Sequence, residues 1–463
     1  MAATIDESRF EELSDSDIDL RTNEHTQQIY VESYVWPMWL DALHLDTIGD
    51  ELTTNTSKIQ QQTQAECMPY LMLDNVYDFD VNSHGLPHLN RAGHIKFLHK
   101  SLEPLSAGAQ GMDAARPWFF YWTLQGMTAM GEDVSMYRDR LITTLRPLQN
   151  VSGGFAGGHG QNSHCAPSYS CVLALAMVGG LDMIDRTSMW HFLGQVKQPD
   201  GGFKVAVMAE EDIRGAYCAM TIISLLNLPL DLPQDAPARQ HGLKSFSDGL
   251  SDWIARCQTY EGGIGGAPTN EAHGAYAFCA LACLSILDAP ERSIPACLDV
   301  PALEKWIVDI QTTPEGGFAG RTNKLVDSCY SHWVGGCWAL LNAARQRQND
   351  LWNRAGLIRY LLTCCQKAGK VAGMRDKPST RPDAYHTCYA LAGLSAATHH
   401  LQYQSSEDSL AAPYCWISRD PTQAEMNEWL IDQDDLVHSI HPVFVIPFGA
   451  VERTRSLFQG RGL

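Results

Sequence analysis

Asp327 and Cys329 stand two residues apart in L-V-D-S-C-Y-S-H-W (Leu325 to Trp333), and His386 follows in D-A-Y-H-T-C-Y. Together they offer an oxygen, a sulfur and a nitrogen donor, a set that suits zinc with a fourth position left for water or substrate. Three protein ligands and one vacancy indicate a catalytic zinc. Taken singly, each residue has an ordinary alternative: an aspartate caps a helix, a cysteine fills a core, and a histidine sits half-buried with a partner. A second group, His273, Arg321, Lys324 and Tyr330, supplies the cationic and hydroxyl donors that an anionic leaving group requires. The run R-T-N-K (Arg321 to Lys324) also reads as a solvated loop.

Residues so far apart in sequence need a repeating scaffold to meet, and the chain carries one. A Gln followed by a Gly-Gly-apolar turn recurs at Gln149 to Phe155, Gln198 to Phe203, Gln258 to Ile264 and Gln311 to Phe318, with a degenerate copy from Gln366 to Met374. Each turn precedes a segment such as A-F-C-A-L-A-C-L that is apolar on nearly every side, the mark of a fully buried helix. Charged, amphipathic segments such as P-A-L-E-K-W-I-V-D-I alternate with them. A tyrosine recurs near the start of the buried segments, at Tyr121, Tyr169, Tyr217, Tyr276, Tyr330 and Tyr389.

Six two-helix units, none able to bury its apolar face alone, are expected to close into an all-α, α/α (α6-α6) toroid barrel of inner and outer helices. An open helical solenoid has the same period. The residues three before each tyrosine are Trp118, Ala166, Arg214, His273, Asp327 and His386. If that register is structural, they converge on one mouth of the barrel. Trp118, Trp122, Tyr217, Tyr276, Trp333 and Tyr389 are expected along the inner wall, where aromatics otherwise serve as core filler.

The chain has 463 residues, 45% hydrophobic content and a net charge of -19. That balance disfavours nucleic acid as the main partner, because phosphate neutralisation needs a basic face. No apolar run is long enough to span a membrane, and the N-terminus lacks a basic-then-apolar signal pattern. The 14 cysteines have neither framework spacing nor a CxxC pair, which fits reduced thiols and a cytoplasmic protein. The expected division is an acidic, flexible segment over 1–28 and one barrel domain over 29–463.

The motifs G-G-F-A-G-G-H-G-Q, E-E-D-I-R-G-A-Y-C, E-G-G-I-G-G-A-P-T-N-E-A-H-G-A-Y, G-R-T-N-K-L-V-D-S-C-Y-S-H-W and D-A-Y-H-T-C-Y resemble those of the protein prenyltransferase β subunits, over roughly residues 30 to 460. The resemblance implies a zinc enzyme that pairs with a helical-repeat α subunit. It would transfer farnesyl from farnesyl diphosphate to the cysteine of a C-terminal CaaX motif, on substrates such as small GTPases. By the same resemblance Asp327, Cys329 and His386 hold one zinc, and His273, Arg321, Lys324 and Tyr330 bind the diphosphate. Arg214, Tyr217, Tyr276, Cys279 and Trp333 line the isoprenoid channel, while Trp118, Trp122 and Tyr385 meet the peptide. Asp376, in D-K-P, matches a position linked to magnesium beside the diphosphate. Bulk at Trp118 and Tyr389 on the channel floor favours farnesyl over the longer geranylgeranyl group.

The alternatives are a type I geranylgeranyl-transferring β subunit and a non-enzymatic zinc-containing α/α-barrel binding protein. A terpene cyclase would usually show a D-x-D-D or aspartate-rich motif, which the sequence lacks. A barrel glycosidase would need two facing carboxylates.

Overall fold

The computed structural model describes residues 52–75, 78–104, 107–312, 314–347, 351–405 and 409–463. The expected N-terminal segment over 1–28, and 29–51 of the expected barrel domain, lie outside the described residues. Among the described residues, the inner helices are Arg116–Ala129, Cys165–Val178, Ile213–Leu225, Gly274–Leu287, a broken pair Tyr330–Trp333 and Cys337–Arg345, and Ala384–Thr398. They are called here the first to the sixth. Outer helices include Arg91–Ser101, Arg138–Leu145, Arg186–Val196, Leu250–Arg256, Val300–Asp309 and Arg354–Tyr360. Each inner helix packs on the next, and the sixth packs on the first, so the ring is closed rather than an open solenoid.

The sequence pattern explains the layering. The second inner helix buries every residue from Pro167 to Val178, leaving no polar stripe for solvent. Each fully buried Leu, Val or Met there contributes roughly 1.5–3 kcal/mol relative to exposure. The fifth inner helix breaks at Gly335 and Gly336, between its two pieces. Opposite it, Gly393 of the sixth lets the two helices touch: a Cβ at Gly393 would lie 1.9 Å from the Ser331 hydroxyl oxygen.

The repeated glutamines fasten the ring. Gln149 donates to the carbonyl of Asp185 at 2.9 Å and accepts from its amide at 3.1 Å, gripping the N-cap of the next outer helix. Gln258 does the same to Asp299, and Gln311 to Asn353. Gln366 reaches back to the first outer helix, accepting from Asn90 N at 3.0 Å and donating to His88 O at 2.8 Å, and so closes the circle. One copy departs from the expected register. The turn pairs Lys197, not Gln198, with Phe203. Lys197 Nζ donates to Gly201 O at 2.7 Å, as Gln258 does to Gly262 and Gln311 to Gly316. Gly201 itself, at φ +104°, passes so close to the next unit that a Cβ would meet Gly249 O at 2.1 Å.

Two features lie outside the helical pattern. The strands His400–Tyr403 and Trp416–Arg419 form one antiparallel pair after the sixth inner helix. Buried Val443, Phe444, Val445 and Ile446 cross the end of the ring where the inner helices finish. That crossing is held by Tyr121 and Tyr217, whose hydroxyls donate to Val445 O at 3.0 Å and Val443 O at 2.7 Å. None of the 14 cysteines is in a disulfide. Among the described residues no helix is long and apolar enough to cross a membrane.

Candidate metal centre and aromatic wall

The inner helices begin at one end of the ring, and their caps build the mouth. Asp212, Asp327 and the imidazoles of His164 and His273 each accept the amide hydrogen two residues on, at 2.8–3.1 Å. Asp383 accepts from His386 N at 2.8 Å. This cap register differs from the tyrosine register read in the sequence. The caps precede Tyr169 and Tyr217 by five residues, Tyr276 and Tyr330 by three, and Tyr389 by six. His273 and Asp327 are therefore equivalent positions, whereas Arg214 lies two residues after a cap and His386 three after one. Helix starts can slide by a turn against an aromatic landmark, so the tyrosines track the inner wall without fixing the caps.

Asp327, Cys329 and His386 do come together, with one ligand atom from each within 4.8 Å of the others. His386 Nε2 lies 3.4 Å from Asp327 Oδ1, and His386 Nδ1 lies 2.7 Å from Asp383 Oδ2. Asp383 thus fixes the ring and leaves Nε2 turned to the cluster, the outer partner that ligating histidines usually have. Burial opposes ionisation of Asp327, but His386 and the Cys329 amide hold its carboxyl down at about 2. Burial also opposes the charge on His386, yet Asp327 and Asp383 push it well above the usual imidazole range. Burial, then Asp327, raises the Cys329 thiol. A carboxylate, an imidazole and a sulfur packed this closely are complementary to a cation. Asp383 carries no metal-motif signal in the sequence, although an aspartate three before a histidine at a helix start is a recognisable cap.

Asp376 lies beside this cluster. Burial, followed by repulsion from Asp327, pushes its carboxyl up to about 7, while Lys377 pairs with Oδ2 at 2.5 Å and buried Oδ1 has no hydrogen-bond partner.

Next to the cluster, His273 Nε2 and the Tyr330 hydroxyl are 3.2 Å apart. Burial and the nearby Arg321 and Arg214 lower His273 to about 4, so the imidazole is neutral near pH 7. Since Nδ1 accepts from Ala275, the ring hydrogen sits on Nε2 and points to Tyr330. Arg321 pairs with Glu271 at 3.0 Å, and Lys324 is exposed on the rim. The structure thus joins His273 to Tyr330 and leaves the two cations on the surrounding loop.

Below the mouth an aromatic circuit passes through all six inner helices. Ring centroids 4.5–5.9 Å apart connect Trp118, Trp122, Tyr385, Tyr389, Trp333, Phe278, Tyr217 and Tyr169, and Tyr169 returns to Trp118. Phe278 and Tyr169 belong to it although the sequence placed neither among the expected wall residues, Tyr169 being read there only as one of the recurring tyrosines. Tyr276 sits higher, with its ring 5.0 Å from His273 and under the Arg214 guanidinium at 5.4 Å. Arg214 is held by Asp212 at 2.8 and 2.9 Å, and Cys279 is buried one residue beyond Phe278.

The sequence profile of the Prenyltransferase alpha-alpha toroid domain matches residues 89–446. The chain is 48% identical over 434 residues to the protein farnesyltransferase subunit beta of Pyricularia oryzae, spanning 90% of this chain and 83% of that one. The corresponding subunit of Schizosaccharomyces pombe is 33% identical over 88% of this chain and 98% of its own. A solved Candida albicans protein geranylgeranyltransferase-I, complexed with GGPP, shares the fold with a TM-score of 0.60 at 20% identity, covering 80% of this chain and 99% of that chain. With its closed ring of paired helices and these relatives, the chain belongs to the prenyltransferase alpha-alpha toroid family, among the protein farnesyltransferase β subunits.

Proposed function

We propose that the chain works with a prenyltransferase α subunit as the catalytic half of a zinc-dependent farnesyltransferase acting on C-terminal CaaX motifs. The observation that carries this reading is the Asp327, Cys329 and His386 donor set at the mouth of an aromatic-walled ring. One carboxylate oxygen, one thiolate sulfur and one imidazole nitrogen fit zinc with a fourth position open. When bound, zinc would stabilise a substrate thiol as thiolate near neutral pH.

The remaining roles fall to this chain's own side chains. Asp383 fixes the imidazole of His386 so that Nε2 stays with the other two donors. Tyr330 and His273 hydrogen-bond the diphosphate, with Arg321 and Lys324 closing over it from the rim, and so neutralise the charge that grows on the leaving oxygen. A sulfur–carbon bond forms at the first isoprenoid carbon as the carbon–oxygen bond to diphosphate breaks; the thiol proton goes to solvent. Arg214, Tyr217, Tyr276, Cys279, Trp333 and Tyr389 line the isoprenoid path, and Trp118, Trp122 and Tyr385 receive the aliphatic part of the peptide. Magnesium would join through Asp376 once the diphosphate supplies further oxygens. Residues 29–463 form one barrel domain on this reading, and the free cysteines fit the reducing cytoplasm.

The test is transfer of radiolabelled farnesyl and geranylgeranyl from their diphosphates to a CaaX peptide by the αβ heterodimer. Farnesyl transfer that disappears together with bound zinc in Cys329→Ala is the expected result. A preference for geranylgeranyl would overturn the role given to Trp118 and Tyr389. A folded, zinc-loaded heterodimer that transfers neither group would overturn the enzymatic reading.

A further inference from the structure

One carbonyl joins the two chain segments that carry the metal ligands. Asp327, Ser328 and Cys329 are consecutive, and each of their amides is held. Asp327 N donates to Phe318 O at 3.1 Å, Ser328 N to Asp376 O at 3.1 Å, and Cys329 N to Asp327 Oδ1 at 2.8 Å. The middle bond crosses to the loop that leads on to Asp383 and His386. The same crossing recurs around the ring: the amide one residue after a cap donates to a carbonyl of the next repeat, Cys165 to Val205 and Ile213 to Gly266 at 2.7 Å, and Gly274 to Gly320 at 2.8 Å. At the metal centre a second strong donor shares the acceptor. The Tyr360 hydroxyl donates to Asp376 O at 2.7 Å, and the Cys365 thiol lies farther off at 3.6 Å.

Tyr360 owes its place to the repeat. An aromatic ring of the following outer helix covers the second glycine of each Gly-Gly turn. A Cβ would lie 2.6 Å from Phe192 at Gly154, 2.7 Å from Trp253 at Gly202, 2.7 Å from Trp306 at Gly263 and 2.6 Å from Tyr360 at Gly317. The polar tips of these rings differ. Phe192 has none, Trp253 Nε1 has no hydrogen-bond partner, and Trp306 Nε1 donates at 3.2 Å to Glu261 of the turn it covers. Tyr360, fully buried, sends its hydroxyl instead to the carbonyl that bridges the ligand segments. A carbonyl oxygen has two lone pairs, so it accepts from Tyr360 and from the Ser328 amide at once. We propose that Tyr360 is a positioning residue for the metal centre: through Asp376 O it fixes the Ser328 amide, and with it Asp327 and Cys329, against the segment that carries His386. The identity of the metal rests on the zinc reading above, whereas the positioning rests on the hydrogen bonds.

Tyr360→Phe keeps the ring over Gly317 and removes the hydroxyl. Trp306→Phe, which removes the matching tip one repeat earlier, is the control. In the zinc-free αβ heterodimer, hydrogen exchange over residues 325–333 should quicken about tenfold in Tyr360→Phe and keep the wild-type rate in Trp306→Phe. Chelator competition should show zinc held about threefold to tenfold more weakly in Tyr360→Phe, less than the loss of a direct outer partner, and unchanged in Trp306→Phe. Unchanged exchange over 325–333 in Tyr360→Phe would overturn the proposal. So would quickening of equal size throughout the barrel, the mark of a general loss of stability. Equal zinc affinity in the wild type and Tyr360→Phe would overturn the positioning of the ligands. A wild-type heterodimer that binds no zinc would overturn the zinc reading, and the exchange rates would still decide the role of Tyr360.

Discussion

The third and fifth repeats begin on the same turn and end with different chemistry. Asp212 accepts the amide of Arg214 at 2.8 Å, and Asp327 accepts the amide of Cys329 at 2.8 Å. In the third repeat the residue two after the cap is an arginine, whose guanidinium returns to the carboxylate at 2.8 and 2.9 Å. The carboxylate is consumed there as an ion pair. In the fifth repeat that residue is a cysteine, too short and uncharged to close the site, and the carboxylate faces His386 at 3.4 Å instead. The ring supplies similar places at its mouth. Whether such a place is sealed or can take a metal depends on the side chain two residues past the cap and on what the next inner helix offers, Tyr276 beside Arg214 and His386 beside Asp327.

The sharpest way to break this comparison is Cys329→Arg, which writes the third repeat's D-x-R into the fifth. Zinc content should fall to background, and farnesyl transfer should drop by more than about 100-fold, since even outer-shell partners of a metal cost 10–100-fold. Stoichiometric zinc in that variant, measured by atomic absorption on the heterodimer, would show that the arginine does not seal the site. Asp383→Asn is the next test. Asparagine still caps the sixth inner helix, so helicity by circular dichroism should hold, while loss of the carboxylate on His386 Nδ1 should weaken zinc by about 10–100-fold in a chelator competition.

Tyr330→Phe leaves the cap and all three donors in place and removes one hydroxyl. Single-turnover farnesyl transfer is expected to slow by up to about 100-fold at unchanged zinc content. On the sealed side, Arg214→Met removes the ion pair and the cation above Tyr276. It should leave zinc untouched and weaken farnesyl diphosphate by about threefold to tenfold, the scale of one cation–π contact. A loss of zinc in Arg214→Met would mean that the two repeats are coupled and that the comparison fails.

The smallest effect concerns the scaffold. Lys197 stands where other turns have glutamine, and burial lowers its amine to about 7. An unfolded lysine titrates near 10.4, so between pH 7 and 10 the unfolded chain binds more protons and stability rises with pH. Below pH 7 both forms are protonated and the cost of burying the charge is at its full value. Lys197→Gln should raise the melting temperature near neutral pH by a few degrees and flatten its rise towards pH 10. An unchanged slope in a thermal-denaturation series would assign the pH dependence elsewhere.

Much of this was legible in the chain. The Gln and Gly-Gly-apolar repeats, the all-apolar inner segments and the amphipathic outer ones determined alternating buried and surface helices, because only a layered arrangement hides such segments from water. The residue types at Asp327, Cys329 and His386 limited the chemistry to metal binding or ordinary structural duty. Closure of the ring was decided in three dimensions, where Gln366 grips the first outer helix and the sixth inner helix meets the first. The cap register was decided there too, since a tyrosine marks a helix wall but its distance from the helix start varies between repeats. Asp383 at His386, Lys377 at Asp376 and the aromatic circuit through Phe278 and Tyr169 depend on side chains meeting across helices. A linear pattern records which faces must be buried, while the partner that each polar or aromatic group finds is set only when the helices pack.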